Sequence, residues 1–290
     1  MKRFTALFLA LAMVFSFIGC VAENGPEGGI QGTPSNTASD TDFEEVVVVD
    51  NSECVIKITG IDPDNMWGYT LKAELENKSS DTTYMFTIDR AAVNGVEIET
   101  LFAPEVAPGK KANEEISFST SDLEEQGIGE FTDIMLSFRV YDSVDWLAED
   151  VAKEVIHIYP LGEDKAQKFV RESKPTDVVL MDNEYATVIV TGYENDPVFG
   201  YTVNFFYVNK SDIDLMFSAD EVSVNGYMMD PFYAESVATG NSSISSMSWA
   251  ESAFEENNIS EVEEIEFLFR IYDEMDWEND LVKERITLKP

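Results

Sequence analysis

Between residues 69 and 76 apolar and polar side chains alternate. Tyr69, Leu71, Ala73 and Leu75 fall on one side, and Thr70, Lys72, Glu74 and Glu76 on the other. A period of two predicts a strand with one buried face. Ile134, Leu136, Phe138 and Val140 show the same spacing, and Ile265, Phe267, Phe269 and Ile271 repeat it. Shorter apolar runs at 46–49 and 178–181 read as opening strands, followed by 54–59 and 186–191, which end at Gly60 and Gly192. Ile116 and Phe118, matched by Met247 and Trp249, mark another strand, and 151–158 and 282–288 close the two series. Asn94-Gly95 and Asn225-Gly226 sit between apolar runs, where both residue types tolerate the positive φ of a tight hairpin. Pro108-Gly109 and Thr239-Gly240 mark further turns. A helical turn is expected at 122–126, with Ser121 as cap and Gly127 as stop.

These patterns describe one unit written twice. Phe138-Arg139-Val140-Tyr141-Asp142-Ser143-Val144-Asp145-Trp146 returns as Phe269-Arg270-Ile271-Tyr272-Asp273-Glu274-Met275-Asp276-Trp277, identical at six of nine positions. The offset is 132 at Gly60 and Gly192, 131 at Asn94 and Asn225, and 130 at Lys153 and Lys283, so the copies differ by small loop changes. The expected organisation is two antiparallel β-sandwich domains, 43–160 and 177–290, joined by a linker at 161–176. Helix-forming residues at 164–173 predict a short helix in that linker. The fold class is all-β, and immunoglobulin-like topology is the favoured form, although the Cys…Trp…Cys spacing of antibody domains is absent.

Composition changes the picture at the N-terminus and at the surface. Lys2 and Arg3 precede an apolar run from Phe4 to Ile18 that is shorter than the roughly 20 residues of a membrane span. It reads as a secretory signal. Its end, Phe17-Ile18-Gly19-Cys20, resembles a bacterial lipobox, with Phe17 where Leu is usual. Residues 1–20 are therefore expected to be a lipoprotein signal, with Cys20 lipidated. Residues 21–42, rich in Gly, Pro, Ser and Thr, are expected to be a flexible tether. The only other cysteine, Cys54, aligns with Ala186 and reads as a small buried hydrophobe. Hydrophobic residues make up 44% of the chain, enough for packed cores. The formal net charge of −37 opposes nucleic-acid binding and polybasic docking on anionic lipid. It suits solubility, cation binding or a cationic partner.

Enzyme signatures are scarce. The lone histidine, His157, faces Thr287 in the repeat. No nucleophile triad, zinc cluster or phosphate loop is present. Abundant carboxylates leave a polysaccharide-active enzyme as a remote alternative. The strongest candidate chemistry is acidic. Asp142 and Asp145 follow a strand end, as do Asp273 and Asp276. Asp62, Asp64 and Asn65 occupy an earlier loop, matched by Glu194, Asn195 and Asp196. Converging at one end of a sandwich, they would offer oxygen ligands to calcium, which takes about 6–8. The competing reading is that they hold turn backbone, or that Asp142 pairs with Arg139. Trp146 and Trp277 are expected to plug the core, with a carbohydrate surface including Trp67 as the alternative. One asymmetry stands out. Lys72, Glu74 and Glu76 become Asn204, Phe206 and Val208, which marks Phe206 and Val208 as interface residues, between the domains or toward an outside partner.

With the lipobox, the Asn-Gly hairpin and the Phe-Arg-(Val/Ile)-Tyr-Asp-x-x-Asp-Trp stretch in view, the chain resembles uncharacterised Firmicutes lipoproteins with tandem immunoglobulin-like domains of unknown function. The resemblance implies attachment to the membrane through lipid, on the extracytoplasmic face. It implies no catalytic residues. A non-catalytic binding or structural role at the envelope, with a protein or glycan partner, is the resulting expectation. A calcium-dependent or carbohydrate-binding module is the alternative.

Overall fold

Alternation along the chain becomes strand after strand. The computed structural model describes residues 43–119, 123–124, 127–196 and 198–290. The expected signal, Cys20 and the tether lie outside these, as do Ser121 and most of the helical turn expected at 122–126. The first copy contains β1 (Val46–Asp50), β2 (Cys54–Asp62), β3 (Tyr69–Asn77), β4 (Tyr84–Val93), β5 (Val96–Ile98), β6 (Glu105–Val106), β7 (Lys111–Phe118), β8 (Ile134–Asp142) and β9 (Ala152–Ile158). The second repeats the series as β10 (Val178–Asp182), β11 (Ala186–Asp196), β12 (Gly200–Asn209), β13 (Leu215–Val224), β14 (Tyr227–Met228), β15 (Glu235–Val237), β16 (Ser242–Trp249), β17 (Ile265–Asp273) and β18 (Asp276–Leu288). The chain is nearly all β.

Each copy stacks two antiparallel sheets in a sandwich-like arrangement. In the first, β1-β2-β3-β7 faces β5-β4-β8-β9, with β6 also on β4. In the second, β10-β11-β12-β16 faces β14-β13-β17-β18, with β15 on β13. Alternate residues of both sheets fill each interior. Ile56, Leu71 and Ile116 meet Phe86, Leu136 and Phe138 in one hydrophobic cluster, and Val188, Phe205 and Met247 meet Phe217, Phe267 and Phe269 in the other. Cys54 and Ala186 are both fully buried, and burial pushes the Cys54 thiol up to about 11.

The copies also share irregularities. The β2–β3 ladder slips between Ile58 and Gly60, and the β11–β12 ladder between Val190 and Gly192. Gly60 and Gly192 therefore mark bulges, not strand ends. The strands run on to Asp62 and Asp196, so Asp62, Glu194, Asn195 and Asp196 are strand residues and not the loop residues expected. Asn77, fully buried, donates to the carbonyls of Thr82 and Val106 at 2.8 and 2.7 Å, and Asn209 donates to Ile213 and Val237 at 2.8 Å each. The repeated Asn-Lys-Ser is thus a structural clamp that satisfies loop backbone in the interior.

The copies are joined through a sheet. Ser242 of β16 pairs in parallel with Val96 of β5, which fuses four strands of the second copy with five of the first. Ser242 N donates to Gly95 O at 2.8 Å. Beside this bridge, Arg90 binds Glu97 at 3.2 Å, Ser236 at 2.6 Å, and Glu274. Glu97 in turn accepts Ala238 N and the side chain of Asn241. The linker adds a second clasp. A helix is expected at 164–173, but only Glu163–Lys165 forms a single 3₁₀ turn, and 166–173 has no regular secondary structure. The reason is tertiary. Phe169 N donates to Asn94 O at 2.7 Å and Gln167 N to Thr132 Oγ1 at 3.1 Å, bonds that a helix would forgo. Among the described residues the one complete helix, Glu251–Asn257, lies in the second copy and buries Phe254 against Tyr201, ring centroids 5.8 Å apart.

Candidate functional site

The acidic groups proposed as calcium ligands lie at opposite ends of each sandwich. The β8–β9 loop shares an end with the β1–β2 and β3–β4 connections, because Asn51 Nδ2 donates to Val151 O at 3.2 Å and Ser143 N to Thr83 O at 3.0 Å. The β2–β3 loop belongs to the other end, where the Tyr69 ring sits 4.3 Å from that of Phe131 and Asn94 N donates to Asp133 O. The nine residues of β8 span the distance between, about 30 Å at the usual rise. The second copy repeats this: Glu274 N donates to Asp214 O at one end, and Asn225 N to Glu264 O at the other. Asp62, Asp64 and Asn65 are thus separated from Asp142 and Asp145, and Glu194 and Asp196 from Asp273 and Asp276. Among the described residues no group of three or more His, Cys, Asp or Glu side chains is placed to hold a metal ion.

Four of these side chains already carry turn backbone, and two more accept side-chain amides. Asp142 Oδ1 accepts Val144 N at 2.8 Å, and Asp273 Oδ1 accepts Met275 N at 2.9 Å. Asp196 Oδ1 accepts Val198 N and Phe199 N, both at 2.7 Å, and Asn65 Oδ1 accepts Trp67 N at 3.0 Å. Glu194 accepts Asn204 Nδ2 at 2.7 Å, and Asp276 accepts Asn279 Nδ2 at 2.6 Å. Asx turns of this kind are the ordinary work of Asp and Asn in tight loops. Asp145 lies exposed at its loop tip, while Asp62 is half-buried and Asp64 exposed in the β2–β3 connection. The repeated arginine does not pair with Asp142. Arg139 Nε binds Asp150 at 2.7 Å and its guanidinium lies 4.4 Å from the Tyr141 ring centroid; Arg270 does the same with Asp280, at 2.7 Å, and Tyr272, at 5.0 Å. Phe-Arg-x-Tyr-Asp is therefore a device that closes the β8–β9 connection.

The tryptophans reverse expectation. Trp146 and Trp277 are 62% and 65% exposed, and Trp67 is 69% exposed. The Asx turn at Asp142 or Asp273 ends the strand before the Trp and carries the loop away from the core. Apolar neighbours travel with them: Val144 and Leu147, Met275, and Met66 are all exposed, and Val198 and Phe199 occupy the Met66-Trp67 position in the second copy. The buried tryptophan is Trp249, on β16, whose Nε1 donates to Met229 O at 3.0 Å. Spacing alone did not separate a strand Trp from a loop-tip Trp; the Tyr-Asp just before the loop-tip Trp is the signal that does.

Phe206 is covered by the chain itself. It is 7% exposed, its ring centroid lies 6.5 Å from that of Phe169, and the Arg171 guanidinium lies 5.7 Å from it. Arg171 is held by Asp177 through two contacts of 2.7 Å, and that pairing brings the Asp177 carboxyl down to about 2. Val208 is half-buried and pairs with Ser242, the residue that bridges the copies. His157 binds Asp133 at 2.7 Å and stacks on Tyr159, their ring centroids 5.9 Å apart. They border a shallow 360 Å³ cavity whose walls include Phe43, Val46 and Ile61.

Among the described residues no helix is long and apolar enough to cross a membrane. No family model and no curated protein matches the chain. Among solved structures it aligns with red sea bream transglutaminase at 11% identity and a TM-score of 0.21, over 86% of this chain and 31% of that enzyme.

Proposed function

We propose that the chain is a non-catalytic, lipid-anchored protein of the extracytoplasmic membrane face, in which two immunoglobulin-like sandwich domains serve a binding or structural role at the cell envelope. Anchoring rests on the apolar N-terminal run ending in Cys20. The binding role rests on exposed aromatic groups at one end of each sandwich: Trp146 lies in the β8–β9 connection beside Val144 and Leu147, and Trp277 lies at the start of β18 beside Met275. A joint stiffened by an ion cluster and a shared sheet suits a body that presents those groups at a set separation. Replacing Cys20 by Ser should move the protein from the membrane fraction to the soluble fraction of cells. Retention in the membrane would overturn the anchoring.

A glycan partner is the form of this reading that the exposed Trp67, Trp146 and Trp277 favour, since flat aromatic faces in water suit sugar rings. Screening against a glycan array tests it, and binding lost in Trp146→Ala and Trp277→Ala is the expected result. The calcium-dependent form is tested by thermal unfolding in millimolar Ca²⁺; an unchanged Tm counts against it.

A further inference from the structure

We propose that the chain associates head to tail with further copies of itself, through the edge of β14 in one molecule and the edge of β7 in the next. The argument begins with the internal joint. There the β15–β16 turn of the second copy receives the β4–β5 hairpin of the first, and a five-stranded half-sheet fuses with a four-stranded one. The two sheets left over are a four-stranded β1-β2-β3-β7 with β7 at its edge and a five-stranded sheet with β14 at its edge. They are the two halves of a second such joint, at opposite ends of the molecule.

The two free turns repeat the backbone of the joined ones. The donor hairpin of the internal joint has Asn94 at φ 52° and Gly95 at 77°; Asn225 and Gly226, in the free hairpin, stand at 49° and 81°. In the joint, Asn94 O and Gly95 O accept Phe169 N and Ser242 N. Among the described residues, no backbone N–H reaches Asn225 O or Gly226 O. The receiving turn has Gly240 at φ 69°, with Asn241 N on Ala238 O at 3.1 Å; the free turn has Gly109 at 64°, with Lys110 N on Ala107 O at 3.1 Å. Val96 is fully buried in the joint, whereas its counterpart Tyr227 is 51% exposed and Met228 is 66% exposed.

The side chains differ between the joined and the free edges. Glu221 takes the place of Arg90, while Lys110 and Lys111 take the places of Asn241 and Ser242, and Ser143 takes that of Glu274. On the hairpin side Glu97 also gives way, to Met228; Glu221 pairs with Arg285 within the chain, and Lys111 with Glu74 and Glu76, so the cation gained on the turn side and the acid gained on the hairpin side would exchange these partners on association. On the receiving side Glu105, Glu114 and Glu115 stand where the joint has Ser236, Ser245 and Ser246. Such an interface is heterologous, so repeated use of it builds a ring or an open chain of molecules instead of a two-fold dimer. It lacks the covalent linker that raises local concentration inside the molecule, so it is weak in dilute solution.

The register names the test. Val96 opposes Ser242 inside the chain, so Tyr227 of one molecule should oppose Lys111 of another. In a Cys20→Ser background, a Tyr227→Cys chain mixed with a Lys111→Cys chain and oxidised should give a disulfide-linked dimer in about tenfold greater yield than Tyr227→Cys mixed with Lys153→Cys, another exposed position. Equal yields would overturn the proposal. Sedimentation of the unmodified chain up to ~1 mM supplies an independent measurement. Weight-average mass should rise with concentration, fall back toward the monomer in Lys110→Glu/Lys111→Glu, and recover when Glu221→Lys is added. A mass that stays monomeric, or a rise indifferent to these changes, would equally overturn it.

Discussion

The outer faces of β3 and β12 occupy the same place in two sandwiches of the same topology, yet one is charged and the other apolar. Over β3, Lys111 of the neighbouring β7 bridges Glu74 at 3.3 Å and Glu76 at 2.9 Å. On β12, Phe206 lies under Phe169 and Arg171 of the linker. The backbone does not account for the difference, since the ladders, bulges and buried asparagines coincide. The neighbour does. A linker lies across the second copy's face, and among the described residues no segment lies across the first's. Inner faces thus record the fold, and outer faces record what each copy meets.

The sharpest way to break the comparison is to make β12 resemble β3. Phe206→Glu places a carboxylate beneath the linker, with Arg171 already committed to Asp177. Leaving a charge uncompensated in a buried site costs about 3–5 kcal/mol, and urea unfolding should register it. A loss under ~1 kcal/mol, in the range of exposed substitutions, would mean that the linker does not hold this face. Phe169→Ala removes the cover instead of the covered residue. Its half-buried ring should cost roughly 1–3 kcal/mol. It should also loosen the angle between the copies, visible as a larger radius of gyration in solution scattering; an unchanged radius would place the rigidity of the joint in Arg90 and Glu97 alone.

Acid offers a milder perturbation of the same clasp. Asp177 has its carboxyl lowered from 3.8 to about 2, mainly by its bond to Arg171. A depressed carboxylate contributes stability above its unfolded pKa and loses it as pH falls through the folded one. The linker clasp should therefore weaken between about pH 4 and pH 2, read as faster proteolysis of 166–176 by an acid-stable protease. Asp177→Asn should remove that pH dependence and leave the chain at the cleavage rate reached at low pH.

Much of this fold was legible because it rests on local pattern. Period-two runs located β3, β8 and β17, and Asn-Gly located both hairpins. What was misread depends on distant partners. The stretch 164–173 has the composition of a helix, but its amides bond to Asn94 and Thr132, some 35 residues or more away along the chain. Asp62 and Asp142 looked like members of one site because both follow acidic, strand-end patterns. Only the direction of β8 shows that a whole sandwich separates them. The asymmetry at Phe206 was readable as an interface, although its occupant, the linker, was not.

Trp146 and Trp249 give the comparison its finest grain, since equal residue types meet opposite surroundings. Trp249 is 1% exposed and its indole N–H is bonded, so Trp249→Ala should cost about 3–5 kcal/mol. Trp146 stands 62% exposed on a loop whose conformation is held by Asp142 and by the Arg139–Asp150 pair, none of which the substitution touches. Trp146→Ala should therefore change stability by no more than ~0.5 kcal/mol, measured by urea unfolding. A residue that costs almost nothing to remove contributes little to the fold, which leaves surface contact as its use. A loss as large as that of Trp249→Ala would return Trp146 to the core and remove the observation on which the binding role rests.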